Sequence, residues 1–215
     1  MLQGELFALN IGVPFATPEM FFNGEPEGKF ELPEFKPSEV FKVKGLLDPI
    51  TSKLVSDSQE IVIMVGFPGS GKSFVSTNHM RDYVRVNRDT LGSWQKCVAK
   101  CEAEVKLKKC VVVDNTNPDR ESRARYVQVA NKYNIPIRCF LMSTSYKQAR
   151  HNEVYRQLTE TKHKPINEMV VNSYKSKYTE PCLDEGFSEI VKVNFLPKFS
   201  NDEQKKLYSM YLLDK

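Results

Sequence analysis

The chain has 215 residues, 40 % hydrophobic and 27 % charged, with a formal net charge of +4, the balance of an ordinary globular protein with ample material for one α/β core. No apolar run approaches the ~20 residues that span a bilayer, and the acidic, proline-containing N-terminus lacks the basic-then-apolar layout of a signal peptide, so an intracellular protein is expected. Cys97, Cys101, Cys110, Cys139 and Cys182 are odd in number and form no C-x-x-C pair, which disfavours a disulfide framework or a zinc site.

Residues 1 to about 22 hold an apolar stretch from Leu6 to Phe15 and then Thr17-Pro18-Glu19, a helix start with proline at its first position. This is too little to fold alone. The prolines at 26, 33, 37 and 49 make residues 23–59 read as an extended connector packed against something else. From residue 60 strands and helices alternate: a strand at 60–65, a helix at 71–80, a strand near 83–87, a helix near 93–107, a strand at 110–114 and a helix at 118–133. There follow a strand at 137–142, a helix at 145–158, a break around 159–164, a helix at 165–178 and a last strand near 189–194. Asp202 to Leu213 spaces Leu207, Met210 and Tyr211 as the inner face of a docked helix. The alternation predicts an α/β fold, an open, mainly parallel sheet with helices on both faces, and the motif G-x-x-x-x-G-K-S at residues 66–73 makes it the P-loop NTPase type.

The strongest signal is Gly66-Phe67-Pro68-Gly69-Ser70-Gly71-Lys72-Ser73, which fits G-x-x-x-x-G-K-[ST] directly behind the apolar run Ile61–Val65. Glycines there let the backbone curl so that N–H groups and the dipole of the next helix face phosphate oxygens. Lys72 supplies a cation to the phosphates and Ser73 a hydroxyl for Mg²⁺.

In open parallel sheets ligands gather beyond the carboxyl ends of strands. Asn87-Arg88-Asp89-Thr90 and Asp114-Asn115-Thr116-Asn117 occupy such places. Asp89 can take the proton of an attacking hydroxyl or merely cap a helix. Arg88 reads as a phosphate clamp or a surface residue, and Asp114 as a metal-holding carboxylate acting through bound water. Asn117 before Pro118 reads as a helix cap. Arg150 and Arg156 lie on a basic helix leading into the 159–164 break, where a closing lid would carry an arginine to the nucleotide. His151 and His163 lack metal-ligand spacing and read as surface or hydrogen-bonding residues.

Charge is unevenly spread along the chain. Residues 1–60 carry a net −5, 61–119 +3, 120–177 +8 and 178–215 −2, the +8 block holding 12 basic and 4 acidic side chains. Composition alone leaves two equal readings of that block, a solvated helix face and the footprint of a polyanion.

The phosphate loop, the segment Val86-Asn87-Arg88-Asp89-Thr90-Leu91-Gly92-Ser93-Trp94 and Asp114-Asn115-Thr116-Asn117-Pro118 together resemble the kinase domain of the polynucleotide kinase 3′-phosphatase family. Ser122-Arg123-Ala124-Arg125-Tyr126-Val127-Gln128, Arg138-Cys139-Phe140-Leu141 and Gln148-Ala149-Arg150-His151-Asn152 extend the resemblance over residues 60–195. Phe7-Ala8-Leu9-Asn10 and Val13-Pro14-Phe15-Ala16-Thr17-Pro18-Glu19 look like the junction between that family's two halves. The resemblance implies an ATP- and Mg²⁺-dependent kinase that phosphorylates 5′-hydroxyl ends of DNA, and to some degree RNA, during strand-break repair. On this sequence it implies Asp89 as general base, and Lys72 and Ser73 as nucleotide and metal ligands with Asp114. It makes Arg156 a lid arginine, with Arg150 beside the nucleotide, and turns Arg88, Arg120, Arg123 and Arg125 toward nucleic acid, favouring the polyanion reading of the +8 block.

The family's phosphatase motif Asp-x-Asp-Gly-Thr has no counterpart, since no D-x-D occurs in the chain, and Phe74 stands where the family often has Thr. The expectation is therefore a kinase fragment: residues 1–22 a phosphatase remnant, 23–59 a linker, 60–215 the kinase domain. A monomer in the nucleus is expected, with mitochondrion or cytoplasm as alternatives, no membrane partner, and repair scaffolds binding through modules absent from this chain. Competing readings are a small-molecule P-loop kinase and a non-catalytic nucleotide-binding module, although the N-K-x-D of guanine switches is missing.

Overall fold

The computed structural model describes residues 3–26, 28 and 32–213; Met1 and parts of the expected connector lie outside the described residues. Ile61–Val65 forms strand β2, with all five side chains buried. An unbroken apolar run of this length is what a strand covered on both faces requires. It lies between β4 (Val111–Val113) and β5 (Ile137–Met142), parallel to both, with Ile61 opposite Val111 and Ile137. With β1 (Leu47–Asp48), β3 (Val84–Val86) and β6 (Glu189–Val193) the sheet order is β1-β6-β5-β2-β4-β3.

Alternation along β2 divides the core in two. Ile61, Ile63 and Val65 join Val111 and Val113 under α5 (Trp94–Lys106) and α6 (Arg120–Tyr133), whose Cys97, Cys101, Tyr126 and Ala130 are buried there. Val62 and Met64 face the other way, with Val75 of α3 (Lys72–His79) and with Phe140, Met142 and Val191. Each fully buried side chain of this kind contributes about 1.5–3 kcal/mol. Cys97 and Cys101 are thus packing residues, and burial raises both thiols, Cys101 to about 12.

Three expectations need correction. The sheet begins before residue 60, because Leu47 and Asp48 of the expected linker pair antiparallel with Val193 and Lys192. A short helix α4 (Arg88–Leu91) precedes α5, capped by Asn87 Oδ1, which accepts from the N–H groups of Asp89 and Thr90. The C-terminal helix α9 (Asp202–Tyr208) stops early, and Tyr208 is its buried anchor in place of Leu207, Met210 and Tyr211. Ahead of the sheet lie α1 (Gln3–Ile11) and α2 (Pro18–Asn23), the latter capped by Thr17 with Pro18 in its first turn as expected. Among the described residues no helix is long and apolar enough to cross a membrane.

Next to α9, on α7 (Tyr146–Thr159), His151 is 1 % exposed and donates from Nε2 to the Tyr208 carbonyl at 2.9 Å. Burial holds its pKa down to about 4 from an ordinary 6.5. A depressed histidine stabilises the fold above the unfolded value, and that contribution is lost as pH falls from 6.5 toward 4. Urea unfolding should therefore show about 3 kcal/mol of stability lost across that window. In a His151→Gln variant that part of the slope should vanish.

Candidate active site

The phosphate loop runs from β2 into α3. Gly66 can carry no side chain, since a Cβ there would stand 2.7 Å from the Met142 Cβ of β5. Gly71 at the start of α3 has φ +95, a left-handed conformation that costs glycine little. Lys72 is buried, and its Nζ donates to the carbonyls of Gly66 at 2.9 Å and Phe67 at 2.6 Å and to Ser70 Oγ at 3.3 Å. Burial lowers its pKa to about 8, partly offset by the negative charges of Asp114 and Asp89. The charges of both expected carboxylates are thus felt at Lys72, while Ser73 remains exposed at the first turn of α3.

The loops after β3 and β4 are stitched together. Asn87 Nδ2 donates to the Asp114 carbonyl at 2.6 Å, and the Arg88 N–H donates to Asn115 Oδ1 at 2.8 Å. This fixes α4 beside the end of β4 and leaves Asp89 and Arg88 exposed on the β3 side of the cradle. Asp89 is not the cap considered from sequence, because Asn87 takes that place.

Asp114, 2 % exposed, is paired through Oδ2 with Arg85 Nη2 at 2.6 Å and Nε at 2.7 Å. Sequence reasoning missed Arg85, and an arginine alternating with valines on a short strand was the available signal. Ser76 Oγ lies 3.3 Å from the same carboxylate oxygen and 3.1 Å from the Ser73 carbonyl, tying Asp114 to the first turn of α3. A magnesium ion fits this donor set: hydroxyl and carboxylate oxygens are its preferred ligands, and it usually takes one or two protein groups and completes its shell with phosphate and water. Ser73 and Asp114 are the residues present that would serve as those groups; among the described residues no cluster of three or more His, Cys, Asp or Glu that could hold a metal ion occurs.

Asn117 corrects another expectation. It adopts a left-handed φ of 43, is 4 % exposed, and donates from Nδ2 to the Met64 carbonyl at 2.8 Å, while Asp119 caps α6. A buried amide completing the end of β2 outweighs the capping preference of an Asn-Pro pair.

On the β5–β6 side of the cradle lies a cavity of about 440 Å³ that reaches Gly69, Gly71, Lys72 and Ser73. Tyr155, Phe195, Phe199 and Tyr208 give it aromatic walls, and Arg156 stands at its edge. Its size and apolar lining suit a small planar ligand with a charged tail. The Asn194–Phe199 segment was overlooked in the sequence, although it follows β6 and so obeys the same strand-end rule as the cradle.

The two expected lid arginines separate. Arg156 lines the cavity and forms a two-point pair with Glu160 at 3.0 Å. Arg150 instead reaches Glu168 at the start of α8 (Glu168–Lys177) and lines a different recess with Pro68 and Ile166. His163 and Glu153 hold the intervening segment, with Nε2 and Oε1 2.7 Å apart. Glu153 Oε1 also accepts the Ile166 N–H at 2.8 Å.

Of the basic residues on α6, Arg125 crosses the Trp94 ring at 4.1 Å and pairs with Glu121, and Arg120 is exposed beside Asp184. Arg123 contradicts its expected place on a nucleic-acid face. Its side chain is 0 % exposed and bound to Glu185 at 2.7 Å. It shares the buried face of α6 with Tyr126, Val127 and Ala130, at i+3, i+4 and i+7, whereas Arg125, two residues on, points elsewhere and stays partly open.

A family model described as an AAA domain matches residues 92–181. The bifunctional polynucleotide phosphatase/kinase of Schizosaccharomyces pombe is 39 % identical over 191 residues, covering 88 % of this chain and 46 % of that protein. A protein named for the same two activities from Acanthamoeba polyphaga mimivirus is 32 % identical over 198 residues, covering 88 % and 47 %. The chain thus spans about half the length of the curated relatives it matches. Among solved structures, Chaetomium thermophilum Kti12 in complex with ADP-AlF3 matches with a TM-score of 0.47 at 16 % identity, over 69 % of this chain and 95 % of that one. Over 88 % of its length, then, this chain is similar to about half of each of two proteins named as bifunctional polynucleotide phosphatase/kinases.

Proposed function

We propose that this chain is an ATP-dependent polynucleotide 5′-hydroxyl kinase. The observation that carries the reading is the layout about the cradle: an aromatic cavity on its β5–β6 side, and on its β3 side an exposed carboxylate, Asp89, followed by arginines. The cavity takes the nucleoside of ATP, the loop N–H groups and Lys72 take the phosphates, and the acceptor enters beside α4.

In the reaction Asp89 receives the proton of the 5′-hydroxyl as its oxygen attacks the γ-phosphorus. The bond between that phosphorus and the bridging oxygen breaks, and ADP leaves. Lys72 and Arg156 balance charge on the transferring group, which asks for alignment and neutralisation more than for covalent chemistry. Arg156 reaches it once released from Glu160. Magnesium held by Ser73 and Asp114 supplies further neutralisation of the phosphates when bound.

Arg88, Arg125 and Arg120 would follow the backbone of the acceptor, and the Arg125–Trp94 stack offers a flat, cationic surface of the kind that accepts an unpaired base. A 5′-hydroxyl end must gain a phosphate before it can be ligated, so the reading extends to strand-break repair in the nucleus, with DNA as the main acceptor, RNA a lesser one, and the chain acting as a monomer.

The test is transfer of labelled γ-phosphate to 5′-hydroxyl oligonucleotides and to a panel of sugars and metabolites, across a salt series. Oligonucleotide labelling with a steep salt dependence is expected, and Arg125→Ala should lower the log–log salt slope by about 1 with KM for ATP unchanged. Labelling of a metabolite in preference to DNA would refute the reading.

A further inference from the structure

The phosphate loop rests through its carbonyls on α7 and on the segment that leads into it. Gly69 O accepts from Asn152 Nδ2 at 3.0 Å and Ser70 O accepts from Thr144 Oγ1 at 3.1 Å. Peptide groups are planar and trans. Holding one of these carbonyls by α7 and the other by the segment before it therefore also sets the directions of the N–H groups that follow them, including the Gly71 N–H at the mouth of the cradle. The approach is close: Gly69 has φ +79, and a Cβ there would stand 2.9 Å from the Ala149 carbonyl of α7.

Asn152 is 3 % exposed, and a buried amide can serve the loop only if it is turned the right way. Tyr208 decides that. Its hydroxyl donates to Asn152 Oδ1 at 2.6 Å, so the NH₂ end is left facing Gly69. Tyr208 is in turn gripped by the rings of Tyr155, Phe199, Phe195 and Phe41, with centroids 5.2 to 6.2 Å away. Three residues on, the Tyr211 N–H donates to Asn10 Oδ1 at 2.7 Å, and its carbonyl accepts from Asn10 Nδ2 at 3.0 Å. A continuous set of bonds thus runs from α1 through the C-terminal residues and α7 to the loop.

We propose that Asn152 and Tyr208 are positioning residues for phosphate binding: Tyr208 orients Asn152, and Asn152 holds the loop in its anion-binding shape. Helix α9 is thereby a working part of the nucleotide site. The inference rests on the nucleotide reading of the cradle and adds to it the device that keeps the cradle in shape.

The test is calorimetric binding of ADP to the full chain, with adenosine followed by competition. Tyr208→Phe keeps the ring and removes the hydroxyl, and should weaken ADP about 5-fold. Asn152→Leu removes the donor to Gly69 and should weaken it about 20-fold. The double variant should bind no more weakly than Asn152→Leu alone, because Tyr208 acts through Asn152. KM for ATP should rise in parallel, and adenosine should bind Tyr208→Phe within about 2-fold of the unaltered chain because the ring that walls the cavity is kept, a split that loss of folded protein does not produce.

ADP affinity unchanged in folded Tyr208→Phe, effects that multiply in the double variant, or adenosine weakened as much as ADP in Tyr208→Phe would each overturn the proposal. Should Asn152→Leu fail to fold, the comparison of ADP with adenosine in Tyr208→Phe decides alone. Failure of the unaltered chain to bind ADP would strike the nucleotide reading instead.

Discussion

Replacing Asp89 with asparagine is expected to lower kcat for 5′-phosphorylation by about 10²- to 10⁴-fold, the range for loss of a general base. ADP affinity is expected to stay within about 2-fold, because the loop, Lys72 and the aromatic cavity are untouched. The substitution is nearly isosteric and falls at an exposed position of α4, whose cap, the Asn87 side chain, bonds the backbone N–H groups of residues 89 and 90 and leaves the residue 89 side chain unused. The fold should therefore survive. What is lost is a proton acceptor 17 residues along the chain from Lys72 but electrostatically coupled to it across the cradle. Single-turnover transfer of labelled phosphate at saturating ATP measures the chemical step directly. Turnover retained at the wild-type level would strip Asp89 of its assigned role and would leave nucleotide binding without a catalyst beside it.

Arg123→Ala is expected to cost about 3–5 kcal/mol of stability, the penalty for breaking a buried pair and stranding its partner. The guanidinium donates Nε and Nη2 to the two oxygens of Glu185 at 2.8 and 2.7 Å. Nη1 reaches the carbonyls of Pro118 and Thr179, both at 3.0 Å. One side chain therefore joins the loop after β4, the segment after α8 and the turn before β6, and its removal leaves the Glu185 carboxylate buried and unpaired. A fall in melting temperature of about 10 °C follows for a chain of this size. Arg125→Ala, two residues away, should change stability by less than about 0.5 kcal/mol. Thermal unfolding of the two variants side by side checks the pair, and a stable Arg123→Ala protein with weakened oligonucleotide binding would restore the surface role that its burial contradicts.

These cases show where local pattern carries information and where it stops. The cradle was legible because its requirements are local: a buried strand, glycines for a tight turn and a helix start follow one another in the chain. The strand–helix alternation was legible for the same reason, and β5 matches its expected limits at Ile137 and Met142. The roles of Arg123, Asn117 and Arg85 were not, because each is decided by a partner distant in sequence: Glu185, the Met64 carbonyl and Asp114. The same limit hid β1, a two-residue strand that exists only because the edge of β6 is there to receive it.

By itself, then, the amino-acid order determined that this protein is an α/β chain with a phosphate loop after its central strand, an acidic residue beyond the next one and a basic stretch downstream, since hydrophobic period and turn chemistry act between near neighbours. Tertiary structure alone decided which arginines face solvent, which carboxylate is held in an ion pair, and how an asparagine and a tyrosine from separate helices meet behind the loop. Those outcomes depend on burial, and burial is a property of the whole packed molecule.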